Sequence, residues 1–388
     1  MRLILTLFLL LTALGLWEMF RHRWHRRRIP VRVHVNGSRG KSSVTRLIAA
    51  GLRAGEYRVF AKTTGSAARI IYPDGREAPI SRRGGPNIRE QLGIFRQCVN
   101  SGANALVLEC MAVRPDLQWT TEHRIVKATH GVITNVRPDH LEAMGPRLED
   151  VARNLSSTIP KRSKFFTAEY RFLPLMEGKA REFKTRFHLA NAEDVKPEEL
   201  EGFAYVELAD NLSLALQVCE SLGIGRQDAL EHMRKVTPDP GALIPVRIQE
   251  SDVQVEFINL FAANDPESTA FLWKHLALGE RGDRTLALIN IRADRMRRSK
   301  DLAPLFGRQV KAHKYVLIGE MTHVFADMIR RQGVAKDEII DLGGKGPEAI
   351  WSRLVAESVG STTVVGIANI GGAGVTLMEL LEGKERAA

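Results

Sequence analysis

Cysteine is scarce and unpatterned in this chain: three residues in 388 (Cys98, Cys110 and Cys219), none in C-x-x-C spacing. That count excludes a cysteine-held zinc cluster and a disulfide-stapled scaffold, and it fits a reducing compartment. Aromatic residues make up only 6%, and no segment interleaves them with basic residues. The stacking platforms of nucleic-acid binders are therefore missing, and nucleic acid is not expected as a partner. Acid is in deficit, with 45 Asp and Glu against 56 Lys and Arg, for a formal net charge of +11. Such a balance suits a membrane surface or a polyanionic substrate without choosing between them. The 44% apolar content is enough for a large core, divided between two domains more readily than held in one.

Long apolar runs are equally rare, with one exception. Leu3–Phe20 carries a single charge, Glu18, and is followed at once by RHRWHRRR. As a helix it is about 27 Å long, just enough for a bilayer core. Arg21, Arg23, Arg26, Arg27 and Arg28 follow, with Trp17 and Trp24 placed as interface anchors. A secretory signal would carry its charge before the apolar run and a small-residue cleavage site after it, and neither is seen. The pattern predicts one membrane-spanning anchor over residues 1–28, with everything after it in the cytoplasm.

The rest of the chain is organised around Val33–Thr45, VHVNGSRGKSSVT. A β-type run ends in glycines, then Lys41, Ser42 and Ser43 lead into a helical apolar period. Backbone N–H groups at such a helix start attract anions, and glycine lets the chain approach phosphate oxygens. Asn36, Gly37, Ser38, Arg39, Gly40, Lys41, Ser42 and Ser43 are thus candidate nucleotide contacts, with Lys41 for the terminal phosphates and the Ser42 hydroxyl for Mg²⁺. The loop is one glycine shorter than the common P-loop pattern, since Val35 stands where the first glycine would be.

Two more strand ends look chemical. ALVLEC (residues 105–110) is a continuous apolar run ending in Glu109, and GVITN (131–135) runs into Val136-Arg137-Pro138-Asp139-His140. Unbroken apolar strands belong to parallel sheets covered on both faces, where ligands sit beyond the strand carboxyl ends. Lys41, Glu109, Asn135 and His140 are therefore the candidate catalytic set. Ser42, Glu109 and His140 are the candidate ligands of a divalent ion, Mg²⁺ or Mn²⁺.

GSRGKSS, LEC and TNVRPDHLEAMG together resemble the three central motifs of the Mur ligase superfamily of ATP-dependent amide ligases. Asn211 in LADNLSLALQVCESLGI looks like the second asparagine of the helix that holds adenine there; Leu208 replaces the first. INIRADR, with Arg292, Asp294 and Arg295, is similar to the Asp-Arg strand end of that superfamily's C-terminal domain. FINLFAANDPEST and IANIGGAG resemble its first strand and last glycine loop. Within the superfamily the anchor, RRGGPN and ANDPEST are most similar to catalytic subunits of poly-γ-glutamate synthases. The resemblance implies an α/β fold with a Mur-ligase-like P-loop central domain over 29–240 and a smaller C-terminal α/β domain over 241–388. It implies ATP as cosubstrate, an acyl-phosphate route to a γ-linked glutamate chain, oligomeric assembly, and small membrane-protein partners that pass the polymer outwards. Two departures stand out: residues 141–160 hold no lysine to act as the superfamily's carbamylated metal ligand, and PDPGALIP occupies the junction where many relatives carry an arginine.

An anionic polymer needs a cationic track. Arg82, Arg83 and Arg89, around a glycine-rich loop, are the candidate substrate contacts, with Lys62 and Arg39 as further phosphate donors. Arg297–Lys300 is equally well explained as a solvated face. Two rivals stay open at this stage: another amide ligase of folylpolyglutamate or cyanophycin type, and a membrane-tethered P-loop kinase or regulator.

Overall fold

The computed structural model describes residues 2–64, 68–82, 85–205, 207–238, 245–250, 252–261 and 265–387. They form two compact units, Met1–Ala242 and Leu243–Ala388.

The first unit begins with a long helix, α1 (Arg2–Arg27), the one described helix long and apolar enough to cross a membrane. Apart from Glu18, its residues from Leu3 to Phe20 are exposed, Leu3 72% and Trp17 57%, whereas His22 and His25 near its end are buried.

Eight strands follow: β1 (Val31–Asn36), β2 (Val59–Thr63), β3 (Arg69–Ile71), β4 (Glu77–Pro79), β5 (Ala105–Glu109), β6 (His130–Ile133), β7 (Lys164–Thr167) and β8 (Arg186–Leu189). They line up as β4-β3-β2-β5-β1-β6-β7-β8. The sheet is parallel from β2 to β8, and β3 and β4 form the antiparallel hairpin that Pro73-Asp74-Gly75 predicts. Alternating side chains of the central strands feed two cores. Ala105 and Val107 join Val31, Val33 and Val35 on one face, while Leu106 and Leu108 join Ile29 and Phe95 on the other. Helix α2 (Lys41–Arg53) covers the first face with Val44, Leu47, Ile48 and Leu52, all fully buried; α3 (Glu90–Asn100) covers the second with Ile94, Phe95 and Cys98. The chain leaves β1 toward β2 on one side and later returns to β6 on the other. The carboxyl end of β1 is thus the switch point where an open α/β sheet forms its ligand crevice.

The second unit carries β9 (Pro245–Glu250), β10 (Val253–Asn259), β11 (Arg284–Ile291), β12 (Lys314–Gly319), β13 (Ile339–Asp341) and β14 (Ser361–Ala368) in the order β13-β12-β11-β14-β10-β9. All pairs are parallel except β9 with β10. β11 again serves two cores, Ala287, Ile289 and Ile291 on one face and Leu286 and Leu288 on the other. Both units are therefore the doubly covered α/β sheets that the apolar runs predict. Asp239, Pro240 and Gly241 of the predicted domain break lie outside the described residues.

One buried charge is built into the first sheet. His34 on β1 meets Glu122 at 2.9 Å (Nδ1 to Oε2), and Glu122 also accepts the Ala128 N–H at 2.9 Å. Burial alone would lower the His34 pKa, but hydrogen bonding with Cys110 and the Glu122 carboxylate outweighs it and raises the value to about 10. A raised imidazole pKa stabilises the fold fully below the unfolded-state value near 6.5, and that contribution is lost as pH climbs through the folded value. Stability of the purified protein is accordingly expected to fall between pH of about 6.5 and about 10, by at most ~1.4 kcal/mol per pH unit. Thermal unfolding of His34→Gln across that window should lose the slope; an unchanged slope would refute the assignment.

Candidate active site

The loop after β1 is shaped by what surrounds it. Gly37 has φ +131° and its α-carbon faces the Thr134 backbone and hydroxyl so closely that no β-carbon fits. Gly40, the residue before α2, has φ +78°, and a β-carbon there would lie 2.6 Å from Asn211 Oδ1. Only glycine tolerates both the left-handed backbone and the contact. The 134–137 turn laces the loop down: Ser38 N–H donates to Asn135 O (3.0 Å), Arg39 N–H to Asn135 Oδ1 (3.1 Å), and Asn135 Nδ2 to Arg39 O (3.2 Å). Thr134 Oγ1 adds a bond to Arg39 O (2.6 Å), and Ser38 Oγ one to Arg137 O (2.9 Å). Asn135 therefore positions the loop; its amide is committed to the backbone and is not a free reacting group. Lys41 Nζ folds over the loop onto Gly37 O (2.7 Å) and Ser38 O (3.1 Å), so its charge sits at the loop mouth.

Glu109 ends β5 beside Val35 and is 2% exposed. Its Oε2 accepts from Ser42 Oγ at 2.8 Å and from the Thr64 N–H at 2.6 Å. Both of those donors are neutral. Oxygen donors that include a buried carboxylate, next to a phosphate loop, fit a hard divalent cation. Ser42 and Glu109 would hold it together with phosphate oxygens. His140 lines the same cavity, but its ring is half exposed and turned to Glu142 (3.3 Å) and Asp139 (3.8 Å). Among the described residues no three His, Cys, Asp or Glu side chains cluster as a metal site. The set Ser42, Glu109 and His140 is thus assembled only in its first two members. His140 has a left-handed φ of +44°, a conformation an ordinary residue adopts at a cost of about 1 kcal/mol.

The cavity measures about 290 Å³ and is lined by the loop, Thr64, Arg82, Glu109, Cys110 and His140 among others. Arg82 reaches it from the basic loop, held by Glu90 (Nε to Oε2, 2.7 Å). Glu90 also takes Lys62, Nζ to Oε1 at 2.7 Å. Burial by itself would raise the Glu90 pKa, but the two cations hold it below the usual carboxylate range. Lys62 is fully buried and its pKa is lowered, chiefly by desolvation, against the opposing pull of Glu90. This corrects Lys62 as a phosphate donor: it anchors Glu90, which aims Arg82. Arg89 is corrected too. It does not reach the cavity, because Glu18 of α1 engages its Nη2 at 2.9 Å. Arg83 lies outside the described residues. The Asn36 amide donates to Gln118 and Thr158 behind the sheet, and Ser43 is half-buried in the first turn of α2. Asn211, on the helix Ala209–Glu220, packs on Gly40 while its Nδ2 donates to Glu207. In the second unit, Arg292 grips Asp294 through two bonds (3.0 and 2.8 Å) just past β11, with Arg295 Nε 3.8 Å from the same carboxylate.

Sequence comparison now bears on this geometry. Residues 35–164 match the Mur ligase middle domain, and residues 246–384 match the poly-gamma-glutamate synthase CapB C-terminal domain. The chain is 36% identical to PGA synthase CapB of Bacillus subtilis (strain 168), over 95% of this chain and 94% of the relative. It is also 36% identical to the capsule biosynthesis protein CapB of Bacillus anthracis, over 97% and 82%. The chain belongs to the CapB family. Solved structures agree on the fold: folylpolyglutamate synthase of Thermotoga maritima superposes with a TM-score of 0.62 (15% identity; 94% of this chain, 93% of that one). MurF of Acinetobacter baumannii gives 0.64 (14% identity; 97% and 80%). A Yersinia pestis folylpolyglutamate/dihydrofolate synthase complexed with AMPPNP and Mn ion gives 0.63 (15% identity; 93% of each). Within the CapB family match, the middle-domain span contains the loop, Glu109, Asn135 and His140, while Asn211 falls outside both matched spans.

Glu109→Gln keeps the shape and the acceptor for Ser42 and Thr64 but removes the charge. Nucleotide affinity without divalent ion is expected to stay within about threefold, and the gain on adding the ion to fall by about tenfold or more. Calorimetric titration with and without the ion checks this; a retained ion dependence would exclude Glu109 as a ligand.

Proposed function

We propose that the protein is an ATP-dependent, ADP-forming amide ligase that extends a γ-linked glutamate chain from the inner face of a membrane. What carries this reading is one cavity that gathers both halves of the chemistry: a phosphate loop with Lys41, Ser42 and Glu109, and across it the Arg82 cation positioned by Glu90. Membership of a family whose relatives are named PGA synthase CapB and capsule biosynthesis protein CapB supplies the substrate class. The terminal γ-carboxylate of the chain attacks the γ-phosphate of ATP, giving an acyl phosphate and ADP. The amino group of the next glutamate then attacks the acyl carbon and expels phosphate. Two anions must meet in the first step, so positive groups have to offset both during in-line transfer. Lys41 and the N-terminus of α2 serve the phosphates, and Arg82 serves the approaching carboxylate. The divalent ion, which we assign as Mg²⁺ on Ser42 and Glu109, would add neutralisation of the phosphate oxygens.

A C-terminal α/β unit of CapB type supports a ligase over a nucleotide-controlled tether, which has no use for one. The exposed apolar length of α1 and its arginine flank support anchoring with the catalytic units on the cytoplasmic side. Small membrane-protein partners and oligomeric assembly belong to the same proposal. The test is ADP release by detergent-solubilised protein supplied with ATP, Mg²⁺ and glutamate or short γ-glutamyl peptides. Release should depend on the amino acid and fall by about 10²-fold or more in Lys41→Ala. No glutamate dependence, in detergent or in membranes carrying the partner proteins, would overturn the assignment.

A further inference from the structure

A second pocket lies outside the nucleotide cavity, between α1 and α3. It measures about 170 Å³, and its polar lining is Glu18, Arg21, His22, His25, Arg89 and Arg96. Arg89 pairs with Glu18 through both carboxylate oxygens, which neutralises the one acid among these described lining residues. Arg21 lies 4.1 Å over the Trp17 ring. The charges of Arg21, Arg96 and Arg28 all bear on His25. His22 is 8% exposed and donates from Nε2 to Ile125 O at 2.8 Å, leaving a buried Nδ1 with no partner. With Nε2 donating to a carbonyl, a neutral His22 presents only a lone pair at Nδ1, and burial lowers its pKa, so the attraction for an anion comes from the guanidinium groups of Arg21 and Arg96. Excess guanidinium charge and a formed cavity together describe an anion site.

The geometry points to a binding site for the phosphate of an anionic lipid headgroup. The pocket opens where the exposed apolar run Leu3–Phe20 gives way to arginine, the depth at which headgroups lie if α1 spans the bilayer. Trp17 and Trp24 mark that level, with Arg21 and Arg28 stacked on them at 4.1 and 3.9 Å. The pocket thus has a source of phosphate brought to it by the anchor, and its small volume suits a headgroup better than an extended polymer. A bound lipid would clamp α1 to α3 and so fix the catalytic unit to the membrane face.

The inference rests on the membrane reading of α1, and the two fail separately. Release of the full-length chain from membranes by alkaline carbonate would defeat the anchor. A chain that stays in the membrane yet is indifferent to lipid charge would defeat only the headgroup site. Native mass spectrometry of the full-length protein in detergent, titrated with phosphatidylglycerol or chain-matched phosphatidylcholine, counts what is retained. One phosphatidylglycerol per chain is expected in preference to phosphatidylcholine. Arg96→Gln should weaken it roughly fivefold, one cation's worth at a membrane surface. Arg21→Gln with Arg96→Gln should weaken it by at least about tenfold, whereas Arg23→Gln with Arg27→Gln should change it by less than about twofold. The latter pair removes the same charge from exposed positions outside the pocket. Equal loss in both double variants would mean diffuse attraction and overturn the site. So would equal retention of the two lipids. Displacement by excess inorganic phosphate would reassign the pocket to free phosphate, and displacement by γ-glutamyl peptide to the polymer.

Discussion

A carboxylate buried among neutral donors is the constraint around which the catalytic unit is arranged. Glu109 holds the Ser42 hydroxyl and the Thr64 amide, and a charge in so dry a place is tolerable only where a cation can join it. Every neighbouring element serves that meeting. β5 is central, so its end opens at the switch point. β1 stands beside it, so its loop delivers Ser42 within 2.8 Å. Thr64 follows directly on β2, and the turn after β6 ties down the loop through the N–H groups of Ser38 and Arg39. The first helix turn, the strand ends and the carboxylate form one unit, whose parts have no local reason to lie where they do except the parallel sheet beneath them.

Much of this is legible without coordinates, and the reason is local. A phosphate loop needs glycines at fixed offsets between a strand and a helix, and a buried parallel strand writes itself as an unbroken apolar run, so Lys41, Ser42, Glu109 and β1, β5, β6 and β11 are all visible in the chain. The failures are all questions of partners. Lys62 and Arg89 are as basic in sequence as Arg82, yet one is swallowed beside Glu90 and the other is drawn to Glu18, 71 residues earlier. Glu90 itself carries no motif. Its importance arises only when two cations converge on it, and no spacing rule reports that. Asn135 looked like a reacting group because it sits at a strand end, but its amide fits the peptide of Arg39 so well that it is consumed there. The short strands β8, β9 and β13 lack the long apolar runs that mark the central ones, since edge positions bury less.

The same sheet also ties the site to α1. β1 carries His34, whose partner Glu122 belongs to a single π-helical turn, Thr121–Val126. The carbonyls at the end of that turn point out unpaired by their own helix, and side-chain donors satisfy them: Arg32 from β1 takes Val126 O and Lys127 O, while His22 and Arg26 from α1 take Ile125 O. One turn is therefore gripped from both sides, by the strand that carries the phosphate loop and by the foot of the apolar helix. A buried ion pair is a poor source of net stability, because desolvation offsets most of its attraction. What the His34–Glu122 pair does contribute is register: a slip of the turn relative to β1 would leave both charges buried and unpaired. That penalty fixes the foot of α1 relative to β1, the strand that leads into the phosphate loop.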